Sequence, residues 1–404
     1  MPANQPSPGP HAWARIRGPL ARRRGLGCLI VPMLVCVSTP ALADGPGDQI
    51  DDMDEQAEAV ARAVSGKEAP GKSGKDILAV PLPITNPTLG TGLVVAGVAF
   101  YNPNNAPSPW ITGGAAMKTS NGNWLVGGFH SMSLDGDRYR LNAAVGAGDL
   151  VMDYYGIGPE AGDRNISTNL HQKIAVVRLQ GQMRVAPGLY AGVRMFYASV
   201  DATQKDLDPT YPDLAIPPGQ ENTDLAQIGP VVTYDTRDNS LNPRHGVYAH
   251  AEWLLSLKVL GGDFTSRKLT AGVSWYVPSG SKTVWALHGG LCGASSGAPF
   301  YDLCLYGQKN DLRGYKTGRY RDRASWAMQV EWRRQLFGRF GAVAFGGIGG
   351  TAPRLDRLDD TKFLPAGGVG LRYQPSRKTN INLRLDLAVG RDSRAVYLGI
   401  AEAF

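Results

Sequence analysis

The sequence predicts an all-β fold, a sixteen-stranded antiparallel transmembrane β-barrel of the outer membrane, and three observations lead there. Its 404 residues include 51 Gly and only 19% charged side chains, a composition suited to strands and turns rather than to a helical enzyme. From Ile77 onward apolar and polar residues alternate in short segments broken by Gly, Pro and Asp. The connections between these segments also sort by length, short on one side and long on the other, as in membrane barrels.

Taken in order, the chain begins with a predicted signal peptide, residues 1–43. Arg15, Arg17, Arg22, Arg23 and Arg24 precede an apolar run, Gly25 to Ser38, and Ala41-Leu42-Ala43 places small residues at both cleavage positions. The run is short for a span of about 20 residues. Met33-Leu34-Val35 lacks the small residue that a lipid-modified Cys36 would need before it. No acid offsets the five arginines, so most of the formal net charge of +7 belongs to this leader and is no sign of a nucleic-acid partner.

Residues 44–76 form a short acidic periplasmic segment. In DQIDDMDEQAEAVARAV the positions Ile50, Met53, Ala57, Val60 and Val64 draw one stripe of an amphipathic helix. The alternative is an acidic linker, since Gly66, Gly71 and Gly74 follow.

Residues 77–404 are the predicted barrel. Ile381, Leu383, Leu385 and Leu387 alternate with Asn382, Arg384 and Asp386, and Val247, Ala249, Ala251, Trp253 and Leu255 with Tyr248, His250, Glu252 and Ser256. A soluble sandwich also alternates, but it buries the apolar face against a second sheet, whereas a membrane barrel turns that face to lipid. Sixteen such segments begin near residues 77, 90, 108, 122, 137, 167, 188, 223, 246, 264, 282, 324, 339, 363, 379 and 395. An even number suits a closed antiparallel barrel. The predicted inward turns, such as Asp135-Gly136-Asp137, Ala186-Pro187-Gly188 and Pro278-Ser279-Gly280, are short. The outward loops Asp149 to Ser167, Ala202 to Thr223 and Ala294 to Arg323 are long.

Two cysteines, Cys292 and Cys304, remain after the signal is removed, with eleven residues between them; a disulfide and two free thiols are both open readings. No further ligands cluster nearby, and no metal or cofactor is predicted. Gly293-Ala294-Ser295-Ser296-Gly297 matches the G-x-S-x-G pattern, but Pro299 and a loop follow where a nucleophile elbow needs a helix. His130, His171, His245, His250 and His288 show no metal spacing, and His250 and His288 are expected to face the lumen. These residues predict no enzyme, with a lipid hydrolase assembled across strands as the less favoured alternative.

The segment YGQKNDLRGYKTGRYRD, Tyr306 to Asp322, carries five cations and three tyrosines between glycines, a pattern suited to neither a regular helix nor a regular strand. Interleaved tyrosines and cations also suit single-stranded nucleic acid, but export argues against that partner. Leu312-Arg313-Gly314-Tyr315 with Gly318-Arg319-Tyr320-Arg321-Asp322, and the turn YDTRDNSLNPRHGVY from Tyr234 to Tyr248, resemble motifs of the BamA/TamA outer-membrane family, also called bacterial surface antigens. The resemblance covers roughly residues 77–404. It implies that the sixth outer loop folds into the lumen, with Arg313, Gly314 and Tyr315 at its tip and Arg313 against the inner wall. Family members tend to place an Asp in the thirteenth strand where this chain has Gly347, within Phe345-Gly346-Gly347-Ile348-Gly349, which leaves Glu331 as the expected partner of Arg313. The family also carries periplasmic POTRA repeats, and the 33 residues from 44 to 76 are too few for one, so a POTRA-less member is expected.

The ending VYLGIAEAF, with Val396, Leu398, Ile400 and Phe404 expected on one face, resembles the C-terminal strand of outer-membrane proteins, although Glu402 falls where an apolar residue belongs. Pro81 and Pro83 in the first strand cannot donate to a ladder. The resemblance makes them, with Phe404, candidates for a weak seam between first and last strands. By resemblance the role would be to help insert or move proteins or lipids at the outer membrane. The partners would be outer-membrane lipids and lipopolysaccharide, client outer-membrane proteins, and the barrel assembly machinery for the chain's own insertion. A passive pore is the rival reading.

Overall fold

The computed structural model describes residues 76–86, 90–101, 103, 110–205, 207–307, 312–316, 318–375 and 382–404. The signal peptide expected at 1–43 and the acidic segment up to residue 75 lie outside the described residues.

Eleven strands follow one another, each paired antiparallel with the next: β1 (Asp76–Asn86), β2 (Gly90–Tyr101), β3 (Trp110–Thr119), β4 (Trp124–Leu134), β5 (Tyr139–Tyr154), β6 (Thr168–Ala186), β7 (Leu189–Lys205), β8 (Asn222–Asp235), β9 (Gly246–Ser256), β10 (Ser266–Pro278) and β11 (Thr283–Ala294). The chain then leaves the sheet for a separate ribbon, β12 (Cys304–Tyr306) paired with β13 (Tyr320–Asp322). It returns as β14 (Ala324–Phe337), which pairs directly with β11, and continues through β15 (Phe340–Ala352), β16 (Ala366–Tyr373), β17 (Leu383–Gly390) and β18 (Ser393–Ile400). Among the described residues this gives one sixteen-stranded sheet in chain order, with β1 and β18 at its two ends. One short helix, α1 (Pro159–Arg164), lies in the long connection between β5 and β6. No helix of the described residues is long and apolar enough to cross a membrane.

The ribbon corrects one expectation. The segment Tyr306 to Asp322 was expected to hold no regular strand, yet its ends pair, Tyr306 opposite Tyr320, because extended backbone outside the sheet must still satisfy its polar groups.

Period-two alternation sets the two faces of the sheet. Leu93, Val126, Leu141, Leu179, Val193, Trp275, Trp285, Met328, Val369 and Leu387 lie exposed on one face, Met328 at 61% and Val369 at 58%. Their neighbours in sequence turn the other way and carry the polar groups, with Glu331 and Asp386 both 0% exposed. A water-soluble sheet would place these two classes in the opposite arrangement. A contiguous apolar surface of this extent marks contact with lipid or with another protein.

Local chemistry closes the short turns. Asp135, Gly136 and Asp137 have φ of +50°, +62° and +68°, a left-handed run that Asp tolerates and Gly favours. Asp137 is pinned by Ser133 Oγ at 2.8 Å, Arg140 Nε at 3.0 Å and Tyr190 Oη at 2.6 Å. In β1, Pro81 and Pro83 stand opposite Val95 and Leu93 of β2; two residues apart, they leave their missing N–H groups on the same edge of the strand.

The residues after β18 do not continue along the apolar face, which corrects the placing of Phe404 beside Val396 and Leu398. Ala401 adopts φ +67° and turns the chain out of the ladder, and the Glu402 N–H donates to Leu241 O at 3.1 Å. Phe404 packs instead against Tyr276, Val284 and Ala286 on the polar side, its ring 5.1 Å from that of His288.

Candidate functional site

The segment between β12 and β13 packs against the polar face of the sheet. Leu312 and Arg313 are 0% exposed and Tyr315 only 2%. Gly347, the position expected to lack a carboxylate, accommodates this approach: a Cβ there would stand 2.7 Å from Leu312 Cδ1 and 2.3 Å from Met328 O. Gly314 has φ +129°, and a Cβ on it would come within 3.1 Å of the Val389 carbonyl carbon, so only glycine fits without strain.

The guanidinium of Arg313 makes ion pairs with Glu331 on β14 and with Asp386 on β17, and Nη2 donates to Gln329 Oε1 at 3.0 Å. Its Cζ lies 3.7 Å from the centroid of the Phe345 ring, a cation–π contact with the side chain that precedes the glycine run. A charge taken wholly out of water is tolerated only when paired and hydrogen-bonded, and planar guanidinium suits two carboxylates at once.

Around this centre stands a second ring of charge. Arg333 Nε donates to Glu331 Oε2 at 2.7 Å and lies 3.9 Å from Glu402 Oε2. Arg372 bridges the other side, Nη1 to Asp386 Oδ1 at 2.5 Å and Nε to Glu402 Oε2 at 2.8 Å. The path Arg313, Glu331, Arg333, Glu402, Arg372, Asp386 and back to Arg313 therefore alternates in sign all the way round. Arg384, also buried, is a fourth cation beside three carboxylates.

Neutral contacts also hold the segment. Gly314 N donates to Tyr397 Oη at 3.0 Å, Tyr315 Oη donates to Pro365 O at 2.6 Å, and Tyr306 Oη donates to Leu364 O at 2.5 Å. Tyr306, Tyr315 and Tyr320 pack ring to ring at 5.4 to 6.5 Å. Farther out, Arg319 Nε donates to Gly162 O of α1 at 2.9 Å, and Arg321 Nη1 to Phe300 O at 3.2 Å. At the base, Cys292 of β11 and Cys304 of β12 form a disulfide with Cα atoms 5.7 Å apart, which ties the start of the segment to the sheet.

The second motif forms the turn between β8 and β9. Asp235 receives Arg237 Nη2 at 2.8 Å, Asp238 Oδ1 accepts Arg244 N at 2.8 Å, and Asn239 Oδ1 accepts the N–H groups of Leu241 and Asn242 at 2.9 and 2.8 Å. Arg237 lies 4.1 Å from the Tyr248 ring.

Of the residues singled out from sequence, the structure brings together Arg313, Gly314, Tyr315 and Glu331, and separately Cys292 and Cys304. Phe404 packs against β10 and β11, and the side chains of Pro81 and Pro83, named with it for the seam, lie outside the described residues. Sequence reasoning missed Asp386, the second carboxylate, and Glu402. The signal for Asp386 was the row Asn382, Arg384, Asp386 on one side of an otherwise apolar strand. Ser295 serves the backbone, its Oγ accepting Arg267 N at 3.0 Å. Among the described residues no cluster of His, Cys, Asp and Glu could hold a metal ion.

The fold has counterparts. The profile of the Omp85 superfamily domain matches residues 95–352. The fold is similar to BamA from Haemophilus ducreyi lacking POTRA domains 1–3, at 14% identity over 81% of this chain and 69% of that one, with a TM-score of 0.53. It is similar also to CdiB from Escherichia coli, at 11% identity over 82% of this chain and 63% of that one, with a TM-score of 0.56. CdiB from Acinetobacter baumannii gives 12% identity, 81% and 59% coverage, and a TM-score of 0.54. The chain thus spans about six tenths of the length of the CdiB proteins it resembles. No curated protein matches the sequence.

Proposed function

The chain belongs to the Omp85 superfamily, and from that membership together with the inverted polarity of its sheet we propose that it is an outer-membrane barrel that helps insert or transport proteins or lipids. In this reading the sixteen strands close, the apolar face meets lipid, and the segment between β12 and β13 is the sixth outer loop lodged in the lumen. The observation that carries the proposal is the fully buried Arg313 paired with Glu331 and Asp386 on the polar face, while Met328 and Val369 stand exposed on the apolar one. An enclosed polar interior would account for both at once.

Arg313 would act as a lock, holding the loop against the wall, and the strand pair β1 and β18 would be the weakly bonded seam, with the prolines of β1 reducing its donors. The work would come from local disturbance of the bilayer and seam opening, with no covalent step. Its partners would be outer-membrane lipids, lipopolysaccharide and client outer-membrane proteins, and the assembly machinery would insert the chain after a signal peptide directs its export. A passive pore remains the competing reading, since a loop in the lumen would also set conductance. Depletion of the protein, followed by proteomic and lipid analysis of the outer membrane, tests the proposal. Loss of particular outer-membrane proteins or lipids supports it, and an unchanged outer membrane contradicts it.

A further inference from the structure

Glu402 stands where the strand pattern calls for an apolar residue, and it does not touch Arg313. It is nevertheless buried, and it touches groups on both sides of the lock. Its Oε2 accepts Arg372 Nε at 2.8 Å and lies 3.9 Å from Arg333 Nε, while Oε1 accepts Asn382 Nδ2 at 2.7 Å. Arg333 in turn holds Glu331, and Arg372 holds Asp386, the two carboxylates that grip Arg313. The backbone of the same segment is anchored elsewhere: Glu402 N donates to Leu241 O in the turn between β8 and β9, and Phe404 O accepts Arg333 Nη2 at 2.9 Å.

We infer that Glu402 is a positioning residue for the Arg313 lock, and that the segment Ala401 to Phe404 couples the turn from Tyr234 to Tyr248 to the buried loop. The argument is electrostatic and geometric. Buried guanidiniums turn to the nearest acceptor, because an unpaired donor in a low dielectric is costly. With Glu402 present, Arg333 and Arg372 are each shared between two carboxylates, which fixes Glu331 and Asp386 at the separation that spans one guanidinium. Without that charge the site holds four cations and two carboxylates. Arg333 and Arg372 then compete with Arg313 for Glu331 and Asp386. The turn motif and the loop motif, 76 residues apart between Arg237 and Arg313, would communicate through this segment.

The inference rests on the reading of Arg313 as the lock, and its test separates the two. Folded protein in detergent micelles is treated with trypsin, and cleavage after Lys316, which is half exposed beside Asp153, is timed. Glu402→Gln is expected to raise the cleavage rate about tenfold, as removal of one buried charge partner allows. The double variant Arg313→Ala/Glu402→Gln should cleave no faster than Arg313→Ala alone, because Glu402 acts through Arg313. A purely structural role would instead lower the melting temperature and leave the rates of the two variants to multiply. Unchanged cleavage in Glu402→Gln, or multiplying effects in the double variant, overturns the inference. If Glu402→Gln fails to fold, Asn382→Ala, which keeps the charge and frees the carboxylate, decides the matter by the same comparison. If Arg313→Ala leaves cleavage at the wild-type rate, the lock itself is at fault rather than the coupling.

Discussion

Replacing Arg313 with Ala removes two ion pairs, one hydrogen bond and the contact with Phe345. Removing one partner of a buried pair costs about 3–5 kcal/mol, mostly through the charge left behind. Here the charges left behind keep other partners, since Glu331 retains Arg333 at 2.7 Å and Asp386 retains Arg372 at 2.5 Å. The expected cost therefore falls at the lower end, about 3 kcal/mol. Glu331→Ala leaves Arg313 with Asp386 and Gln329 and should cost about 2 kcal/mol, the scale of a hydrogen bond to a charged group. In the double variant the broken contact is counted once, so the combined loss should fall short of the sum by about 1.5 kcal/mol. At 1.4 kcal/mol per tenfold, Arg313→Ala raises the population of the open loop on the order of 100-fold. Trypsin cleavage after Lys316 reads that population wherever opening is fast relative to cleavage, and the temperature at which the unboiled gel band shifts reads the stability of the whole. Strict additivity of the two substitutions with unchanged cleavage would falsify the lock and leave an ordinary surface loop.

Three further outcomes are expected. Reduction of the bond between Cys292 and Cys304, or Cys304→Ser, should speed cleavage within the loop while leaving the gel shift temperature of the sheet nearly unchanged, because the bridge fixes only the base of the segment. Asp137 lies in a turn outside the strands; burial works against its charge, but the hydrogen bonds from Arg140, Tyr190 and Ser133 prevail and hold its pKa at about 2 against an ordinary 3.8. Its stabilisation is therefore present above the ordinary value and lost as pH falls toward about 2, and Asp137→Asn should flatten the acid limb of a stability profile between these limits. Val369→Arg, on the exposed face near the middle of β16, should destabilise the bilayer-inserted protein by about 2–4 kcal/mol in chemical unfolding, whereas a soluble sheet would tolerate an exposed Arg there.

Strand positions were legible because a sheet with two unlike faces writes a period of two into its sequence. Leu383, Leu385 and Leu387 against Arg384 and Asp386 show it most clearly. Loop lengths were legible for a related reason, since Gly and Pro mark where alternation stops. The partners of Arg313 were only half legible. Glu331 lies on the strand that follows the loop, 18 residues away, but Asp386 is 73 residues away, on β17, which β15 and β16 separate from β14 in the sheet. Strand order and register across a sheet leave no local mark. Glu402 and Phe404 were misplaced because the exit from the ladder occurs at Ala401, a residue type that rarely takes positive φ and so gives no turn signal. The cysteine spacing permitted a disulfide without requiring one, since sequence separation does not fix the distance between Cβ atoms.

In the proposed function this chain acts on other molecules at the membrane rather than conducting solutes. The measurement that tests it most directly is the folding rate of a second outer-membrane barrel into liposomes with and without this protein, taken alongside current through planar bilayers that contain it. The expected result is faster client folding, abolished by Arg313→Ala, with little steady current from the wild-type protein. Unaccelerated folding together with a steady current that rises when residues 294–323 are deleted would contradict it and assign a pore.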